Sequence, residues 1–490
     1  MNENIELPEE SVSVKTKLSF SIGGLANGLL NGLVFGNLTF FYQVKLGANP
    51  VLLGIGWLIF AIWNTVNDPI VSYFVDNTRT KIGRRIPYIR YGSIFYGLVF
   101  IFCWFPISPL DNEIGLFINF LAALFLLDTM FTIVGVCFFS LPNEIAVTAK
   151  QRASLGVYSA VVGFINLVLG LLIPILLLTG QEGTHPLFAP VIIIIGLGSS
   201  LILFASSFGF KENMFAQLQG HEGFIEGLRL TLKNKPFWIF MIPAFLLGIT
   251  MPIFSTGILY YIDYNISGQT PIFVLLGLLI GIVVGMVLNL KKIAIWQPKK
   301  TMIINMFLAA AGFAILFFVG SNAILAAIPF LIIGIGYAGG MVASPVLMGD
   351  AIDNDELITG KRREAIYGGV NAIVTKPAIS IANFIFLSVI AAFGFKDPVD
   401  VILPQTYKAL IGLLYAFCVI PALLLAFAAL GLRLYPLDGP EWLDKKRHIM
   451  KLHEEKEKEY LQSLSEKKKL KLSIFFIFSF LLGKFPFFSY

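Results

Sequence analysis

The segment from Val51 to Pro87 reads VLLGIGWLIFAIWNTVNDPIVSYFVDNTRTKIGRRIP and decides the fold class. Its apolar part, Val51 to Phe74, exceeds the roughly 20 residues that an α-helix needs to cross the hydrocarbon core of a bilayer. Arg79, Arg84 and Arg85 follow it. Because Lys and Arg accumulate in the cytoplasmic loops of membrane proteins, the segment predicts a spanning helix that ends at the cytoplasm.

The same pattern continues along the whole chain. Hydrophobic residues make up 57% of the 490 residues and charged residues 13%, against roughly a quarter charged in soluble proteins. So apolar a chain needs lipid as its solvent. Apolar runs predict about twelve spans, near 18–44, 51–74, 87–107, 114–145, 155–178, 187–210, 237–262, 272–290, 302–319, 324–348, 365–393 and 410–434.

The basic loops set the predicted orientation and domains. Lys and Arg cluster after spans two, four, six, eight and ten, whereas the alternate loops carry mainly Lys45, Lys396 and Lys408. We therefore expect an integral protein of the cell (plasma) membrane with both termini in the cytoplasm. The predicted parts are a cytoplasmic tail 1–17, a six-helix bundle 18–210, a cytoplasmic linker 211–235, a second six-helix bundle 236–434 and a cytoplasmic tail 435–490.

Several function classes are disfavoured by residue placement. The net charge of +6 lies in short loops between apolar runs, so we expect the bilayer and a small-molecule substrate, and no nucleic acid, as partners. The three cysteines lie far apart in apolar runs and the four histidines lie outside them. Neither a resident metal site nor an enzyme is therefore expected, and we predict a monomer.

Asp68 lies inside the second span. A carboxylate there costs several kcal/mol unless it is paired, protonated or hydrated, so it marks a functional site by default. The alternative is a carboxylate that a neighbouring helix holds only to fix the packing. Asn64 lies one turn earlier, and the two oxygens suit a sodium ion, although a proton would serve equally well. Asp128 in span four is a further candidate carboxylate for the cation; the alternative places it in a polar outer vestibule.

Charged residues near the cytoplasmic ends of the spans form a predicted gate. We interpret them as charges that pair to hold one conformation closed. The alternative is that they only set the topology. Neutralising Arg84 and Arg85 together is expected to favour the form open to the cytoplasm. The gate residues are Asp76, Arg79, Arg84, Arg85, Glu144, Arg152, Asp350, Asp353, Arg362, Arg363 and Glu364.

Lys376 lies well inside span eleven, too deep to reach water easily. A buried ammonium there needs a carboxylate or an anionic substrate group as its partner. Polar side chains of other spans are candidates for lining a substrate cavity with it, or for joining helices, the commoner role. They are Asn27, Asn31, Asn371 and Tyr260.

These motifs together resemble the glycoside–pentoside–hexuronide:cation symporter family of the major facilitator superfamily. The resemblance rests on Asn67-Asp68-Pro69 with its basic loop, on Ser140–Ile145 with Arg152, and on the segment Asp350–Lys376. It implies an all-α membrane protein with the major facilitator fold, alternating access, and a substrate that moves with sodium, lithium or a proton. It implies no other cofactor.

The chain also departs from the family pattern. Asn64 stands where the family usually carries a second Asp, and Gly135 where it carries a third carboxylate. Gly28 and Ala160 replace the sugar-binding Asp and Arg, and Phe139 replaces a stacking Trp. The fold therefore carries over, while the galactoside site does not.

The leading hypothesis is a secondary active transporter that couples a cation to symport of a sugar or sugar derivative. The predicted substrate cavity holds Lys376 and Phe139, with Asp68, Asn64 and Asp128 around the cation. An amphipathic lipid-like substrate, such as a lysolipid or glycolipid, is the nearest alternative. A non-transporting membrane sensor is the alternative of another class, but the tail is too short for the soluble domain that a sensor normally adds.

Overall fold

The computed structural model describes residues 12–80, 82–145, 149–180, 183–210, 231–266, 269–319, 321–360, 363–396, 405–452 and 455, without the side chains at 76, 143–144, 149–150, 152–153 and 365. Residues 13–437 form one compact unit. The second unit combines 1–12 with 438–490, and its described part is a helix over 439–452.

Apolar α-helices make up the larger unit. Its spanning helices are α1 (Val14–Lys45), α2 (Pro50–Val75), α3 (Ile86–Trp104), α4 (Glu113–Ser140), α5 (Ser154–Leu178), α6 (Phe188–Ser206), α7 (Lys235–Asn265), α8 and α9 within Ile272–Val319, α10 (Ala323–Thr359), α11 (Ile366–Ala392) and α12 (Tyr407–Leu432). This confirms the predicted all-α membrane fold.

The helical stretch Ile272–Val319 contains two spans. At 1.5 Å per residue its 48 residues would measure about 72 Å, more than twice the hydrocarbon thickness of roughly 30 Å. Gln297 breaks it with φ 64° and ψ 157°, because the following Pro298 excludes the helical conformation from the residue before it. Counting α8 as 272–296 and α9 as 298–319, the described residues contain twelve spans.

Each half is held by its own helix pairs. In the first half α1 packs on α5 and α6, and α4 packs on α2 and α3. In the second half α10 packs on the α8–α9 hairpin, and α12 packs on α7. Contacts of α2 with α11 and of α1 with α7 join the halves.

Glycines allow the closest helix approach in the second half. Gly277, Gly281 and Gly285 repeat every four residues along α8 and face the backbone of α10. A Cβ on Gly281 would lie 2.2 Å from the carbonyl oxygen of Leu331. Small residues at this spacing let two helix backbones meet, which is how membrane helices gain packing energy without a hydrophobic driving force.

The two ends of the bundle differ. We call the end with the basic loops, such as 78–85 and 360–363, the basic end, and the opposite end the bare end. All residues of Gly36–Lys45 in α1 and of Thr256–Tyr264 in α7 are buried. These stretches lead to the bare end, so the structure is closed there.

Candidate functional site

An ion pair joins the two halves inside the bundle. Lys376 Nζ lies 2.5 Å from the Oδ1 atom of Asp68. Asp68 belongs to α2, and Lys376 occupies the turn where α11 is interrupted before Pro377. The side chains are 22% and 23% exposed, so this pair is in reach of water, whereas the sequence predicted Lys376 to be too deep to reach water easily.

A hydrogen-bond chain extends from this pair to a second carboxylate. Thr132 donates its hydroxyl to Asp68 Oδ1 at 2.9 Å. The Asn67 amide donates to Thr132 Oγ1 and to Asp128 Oδ2, both at 3.0 Å. Asp128 is buried. The structure therefore places all three predicted groups, Asp68, Asp128 and Lys376, in one polar cluster between α2, α4 and α11.

Asn64 lies at the edge of this cluster. Its side-chain amide donates to the backbone carbonyl of Lys376 at 3.5 Å, the long limit of a hydrogen bond. Asn64 therefore contacts the backbone of Lys376 rather than its ammonium group, and the Asn64 side chain is buried.

The charges of the cluster do not cancel. Two carboxylates, Asp68 and Asp128, face the single ammonium of Lys376, so the cluster carries one negative charge when all three groups are ionised. One monovalent cation would neutralise it. Carboxylate, hydroxyl and amide oxygens are the ligands that a hard cation prefers, and a proton would achieve the same neutrality by protonating one carboxylate.

The predicted cavity residues are spread over a wider region. The Oδ1 atoms of Asn27 and Asn31 in α1 are buried without a hydrogen-bond partner. Gly28, which follows Asn27, packs against the side chain of Asn166 in α5, since a Cβ on Gly28 would lie 2.1 Å from it. Buried acceptors without donors in helices that line the interface between the halves can receive substrate hydroxyls.

Other predicted cavity residues lie elsewhere. Tyr260 is buried near the bare end, where its hydroxyl donates to the Gln43 side chain. Phe139 is exposed on α4, with its ring centroid 6.2 Å from that of Phe131. Asn371 is half-buried on α11, and its backbone carbonyl accepts a bond from the Thr375 hydroxyl.

The basic end carries part of the predicted gate. Arg363 donates to Asp355 Oδ2 from Nε at 3.1 Å and from Nη2 at 2.5 Å, which ties the end of α10 to the start of α11. Arg85 donates to the carbonyl of Ser140 at 3.4 Å, between α3 and α4. Arg84 and Asp350 are buried. These described contacts stay within one half each.

The remaining gate residues vary in placement. Arg79 and Glu364 are exposed and Asp353 is half-buried. The side chains of Asp76, Glu144 and Arg152 and the whole of Arg362 lie outside the described residues.

Two residues of these networks, Thr132 and Asn67, were missed as functional candidates. Thr132 lies four residues after Asp128, a spacing that places both on one face of α4. Asn67 precedes Asp68 directly. Helical spacing gave a signal for Thr132, whereas Asn67 needed the helix orientations. Asp355 lies within Asp350–Glu364, the segment predicted to contribute to the gate.

Comparison with known proteins decides the family. A family model described as MFS/sugar transport protein matches residues 19–439. The chain belongs to this family. It is a secondary transporter and an integral membrane protein with a small-molecule substrate, and its relatives are transporters rather than enzymes.

Individual relatives are distant but cover most of the chain. The uncharacterized symporter YnaJ of Bacillus subtilis is 25% identical over 95% of this chain and 99% of its own length. The isoprimeverose transporter of Lactiplantibacillus pentosus is 22% identical over 87% and 89%. The solved nucleoside transporter NupG superposes with a TM-score of 0.59 at 14% identity, covering 86% of this chain and 100% of NupG, which supports the fold.

Proposed function

We propose that this transporter couples one monovalent cation, sodium or a proton, to the symport of a sugar or sugar derivative. The two six-helix halves would expose a central site to each side of the plasma membrane in turn. The basic end would face the cytoplasm, since Lys and Arg concentrate in its loops. The family description and the relative named as an isoprimeverose transporter support a sugar substrate.

The observation that carries the proposal is the ion pair between Asp68 and Lys376. It crosses from one half to the other at 2.5 Å, so any movement between α2 and α11 must stretch or break it. A carboxylate and an ammonium inside a membrane are costly and are rarely kept without a function. Their position at the moving interface is what a coupling device requires.

Competition for Asp68 provides the physical route to coupling. A cation that binds Asp68 takes the place of Lys376 as its positive partner. The released ammonium is then free to bind substrate oxygens. Thr132 and Asn67 connect this exchange to Asp128, so the second carboxylate supplies the negative charge that holds the cation.

The substrate side of the proposal rests on buried amides. Asn27 and Asn31 leave acceptor oxygens without partners on α1, and sugar hydroxyls are donors of matching chemistry. These amides would take over the role of the charged sugar ligands of the family, whose positions are occupied here by Gly28 and Ala160. The chain would therefore recognise hydroxyl groups through neutral acceptors.

The experiment measures uptake by purified protein in liposomes with a panel of sugars and sugar derivatives. Imposed sodium, lithium and proton gradients are compared, together with substrate exchange at equilibrium. Asp68→Asn is expected to lose accumulation against a gradient and to keep exchange. Lys376→Ala is expected to weaken substrate binding. Glu113→Gln, which changes an exposed carboxylate at the start of α4, serves as the control.

One result would reject the coupling role of this cluster. If Asp68→Asn accumulates substrate to the parent level under the same gradient, the cation binds elsewhere. If the variant loses both exchange and accumulation, it instead lacks a working transport cycle.

A further inference from the structure

Lys45 is one of the few basic residues at the bare end, and it is buried. It ends α1, and its side chain is 3% exposed. Topology charges lie in water and gain nothing from burial, so the placement rule for Lys and Arg does not account for this residue. A buried ammonium requires a partner.

The partner of Lys45 belongs to the other half. Lys45 Nζ lies 3.9 Å from Oδ2 of Asp263, whose side chain is fully buried at the end of α7. The other carboxylate oxygen accepts the backbone N–H of Gly180 at 2.7 Å. Gly180 follows α5, so one carboxylate of the second half is held by two groups of the first.

The local backbone supports this arrangement. Gly180 has φ +77°, a conformation that glycine adopts without strain and that directs its N–H toward Asp263. Any other residue at this position would strain the backbone. Glycine therefore lets the chain hold the conformation in which the Gly180 N–H donates to Asp263.

Both charged residues lie in π-helical turns at corresponding helix ends. The turns are Phe41–Lys45 in α1 and Tyr261–Asn265 in α7. Each is closed by a bond spanning five residues, Leu46 N–H to Phe41 O at 3.1 Å and Ile266 N–H to Tyr261 O at 3.2 Å. Such widened turns are rare and recur at functional sites. Here they occur together at the interface between the halves.

We propose that Lys45, Asp263 and the Gly180 N–H form a latch that holds the bare end closed. Its contacts run between the halves, so they exist only while α1, α5 and α7 are together at this end. Separating the halves would break the latch and return both charges to water. A contact made in one conformation alone shifts the equilibrium toward that conformation.

The latch is distinct from the coupling cluster. Its residues lie at the helix ends, while Asp68 and Lys376 lie deeper, and it contacts no group of that cluster in the described hydrogen bonds and ion pairs. Its role does not depend on which substrate or cation the protein carries. It would set how often the substrate site opens at the bare end.

The test measures opening at the bare end directly, without substrate. Ser255 lies eight residues before Asp263, about 12 Å along α7, and faces Gly36 of α1 across the interface. Ser255→Cys is introduced, and its reaction with a membrane-impermeant maleimide is timed in vesicles whose bare end faces outward. Parent protein without this cysteine gives the background rate.

We expect Asp263→Asn and Lys45→Met each to speed this labelling at least about five-fold, the lower range of a typical coupling between two states. The double variant should label no faster than the faster single variant, because both changes break the same contact. Lys445→Met, which breaks an exposed ion pair with Glu441 in the second unit, should leave the rate unchanged.

Two results would overturn the proposal. One is a labelling rate in both single variants that stays within two-fold of the rate of Ser255→Cys alone. The other is a double variant whose acceleration equals the product of the two single effects, since the charges would then act separately. Asp263→Asn keeps the shape and the acceptor for Gly180, so it carries the test alone if Lys45→Met does not accumulate in the membrane.

Discussion

Asp68 and Asp128 meet the same physical problem, a carboxylate within apolar helices, with different partners. Asp68 has an ammonium at 2.5 Å and a hydroxyl at 2.9 Å. Asp128 has the Asn67 amide at 3.0 Å, and among the described ion pairs it has no cation. When all three groups are ionised, the cluster is therefore one positive charge short of neutrality, and the Thr132 hydroxyl links its two parts.

Thr132 provides a sharp test of this cluster at the level of one side chain. Thr132→Val removes the hydroxyl and keeps the shape, so Asp68 and Asn67 lose their common partner. We expect the cation concentration for half-maximal transport to rise at least about ten-fold, because a hydrogen bond to a charged group contributes about 1.5–3 kcal/mol. Uptake against a titrated cation gradient measures the change.

Thr129→Val is the matched control one turn away on α4. Its hydroxyl bonds the carbonyl of Phe125 within the same helix, so the cation dependence should stay that of the parent. Equal shifts in both variants would mean that α4 responds to any Thr replacement and would contradict the specific role of Thr132.

The pairing of Asp68 with Lys376 was predictable because each charge is too deep to remain alone. The connection to Asp128 was not. The two predicted placements of Asp128, as a cation ligand or in an outer vestibule, differ in the rotation of α4 about its axis. The sequence does not define this rotation, because apolar residues lie on all sides of the helix. The structure turns Asp128 toward Asn67, away from the vestibule alternative.

At the scale of helices, length and hydropathy predicted the spans well, and helix ends were predicted less well. The basic stretch between α8 and α9 was expected as a loop, yet helix continues on both sides of Gln297. One residue suffices for the reversal because Pro298 prevents the helix from passing through it. The π-helical ends of α1 and α7 were not predicted, since their sequences, FYQVK and YIDYN, carry no pattern that distinguishes a π-helical turn from an α-helical one.

Glycine packing between α8 and α10 gives a prediction for these helices. Gly281→Ala would place a Cβ 2.2 Å from the carbonyl oxygen of Leu331, so the helices must separate. We expect a loss of about 1–3 kcal/mol, the usual cost of overpacking, seen as a lower thermal unfolding midpoint in detergent.

Gly163→Ala in α5 is the comparison for that change. A Cβ there would meet no atom within 4 Å, and Ala favours a helix over Gly, so the midpoint should equal or exceed the parent value. If both variants melt alike, the close approach of α8 to α10 does not limit stability.

At the scale of the whole molecule, the structure represents one conformation of a protein that must adopt at least two. Thr39 donates to Asn383 at 3.1 Å, and Thr256 donates to the same oxygen at 3.0 Å. This node joins α1, α7 and α11 beside the buried bare end. A sequence predicts the fold that both conformations share, but not which is more populated, because their free energies differ by only a few kcal/mol.

Orientation in the membrane is the remaining property of the whole molecule, and its prediction rests on the distribution of Lys and Arg alone. Glu113 at the start of α4 and Ser321 just before α10 are exposed at the bare end, and Thr80 and Lys300 are near the basic end. Single cysteines at Glu113 and Ser321 should react with an impermeant maleimide on intact cells. Cysteines at Thr80 and Lys300 should react only after permeabilisation. The native Cys103, Cys137 and Cys418 are buried, which keeps the background low. If both basic-end cysteines reacted on intact cells, the basic end would face outward, opposite to the prediction. The proposed latch would then close the cytoplasmic side.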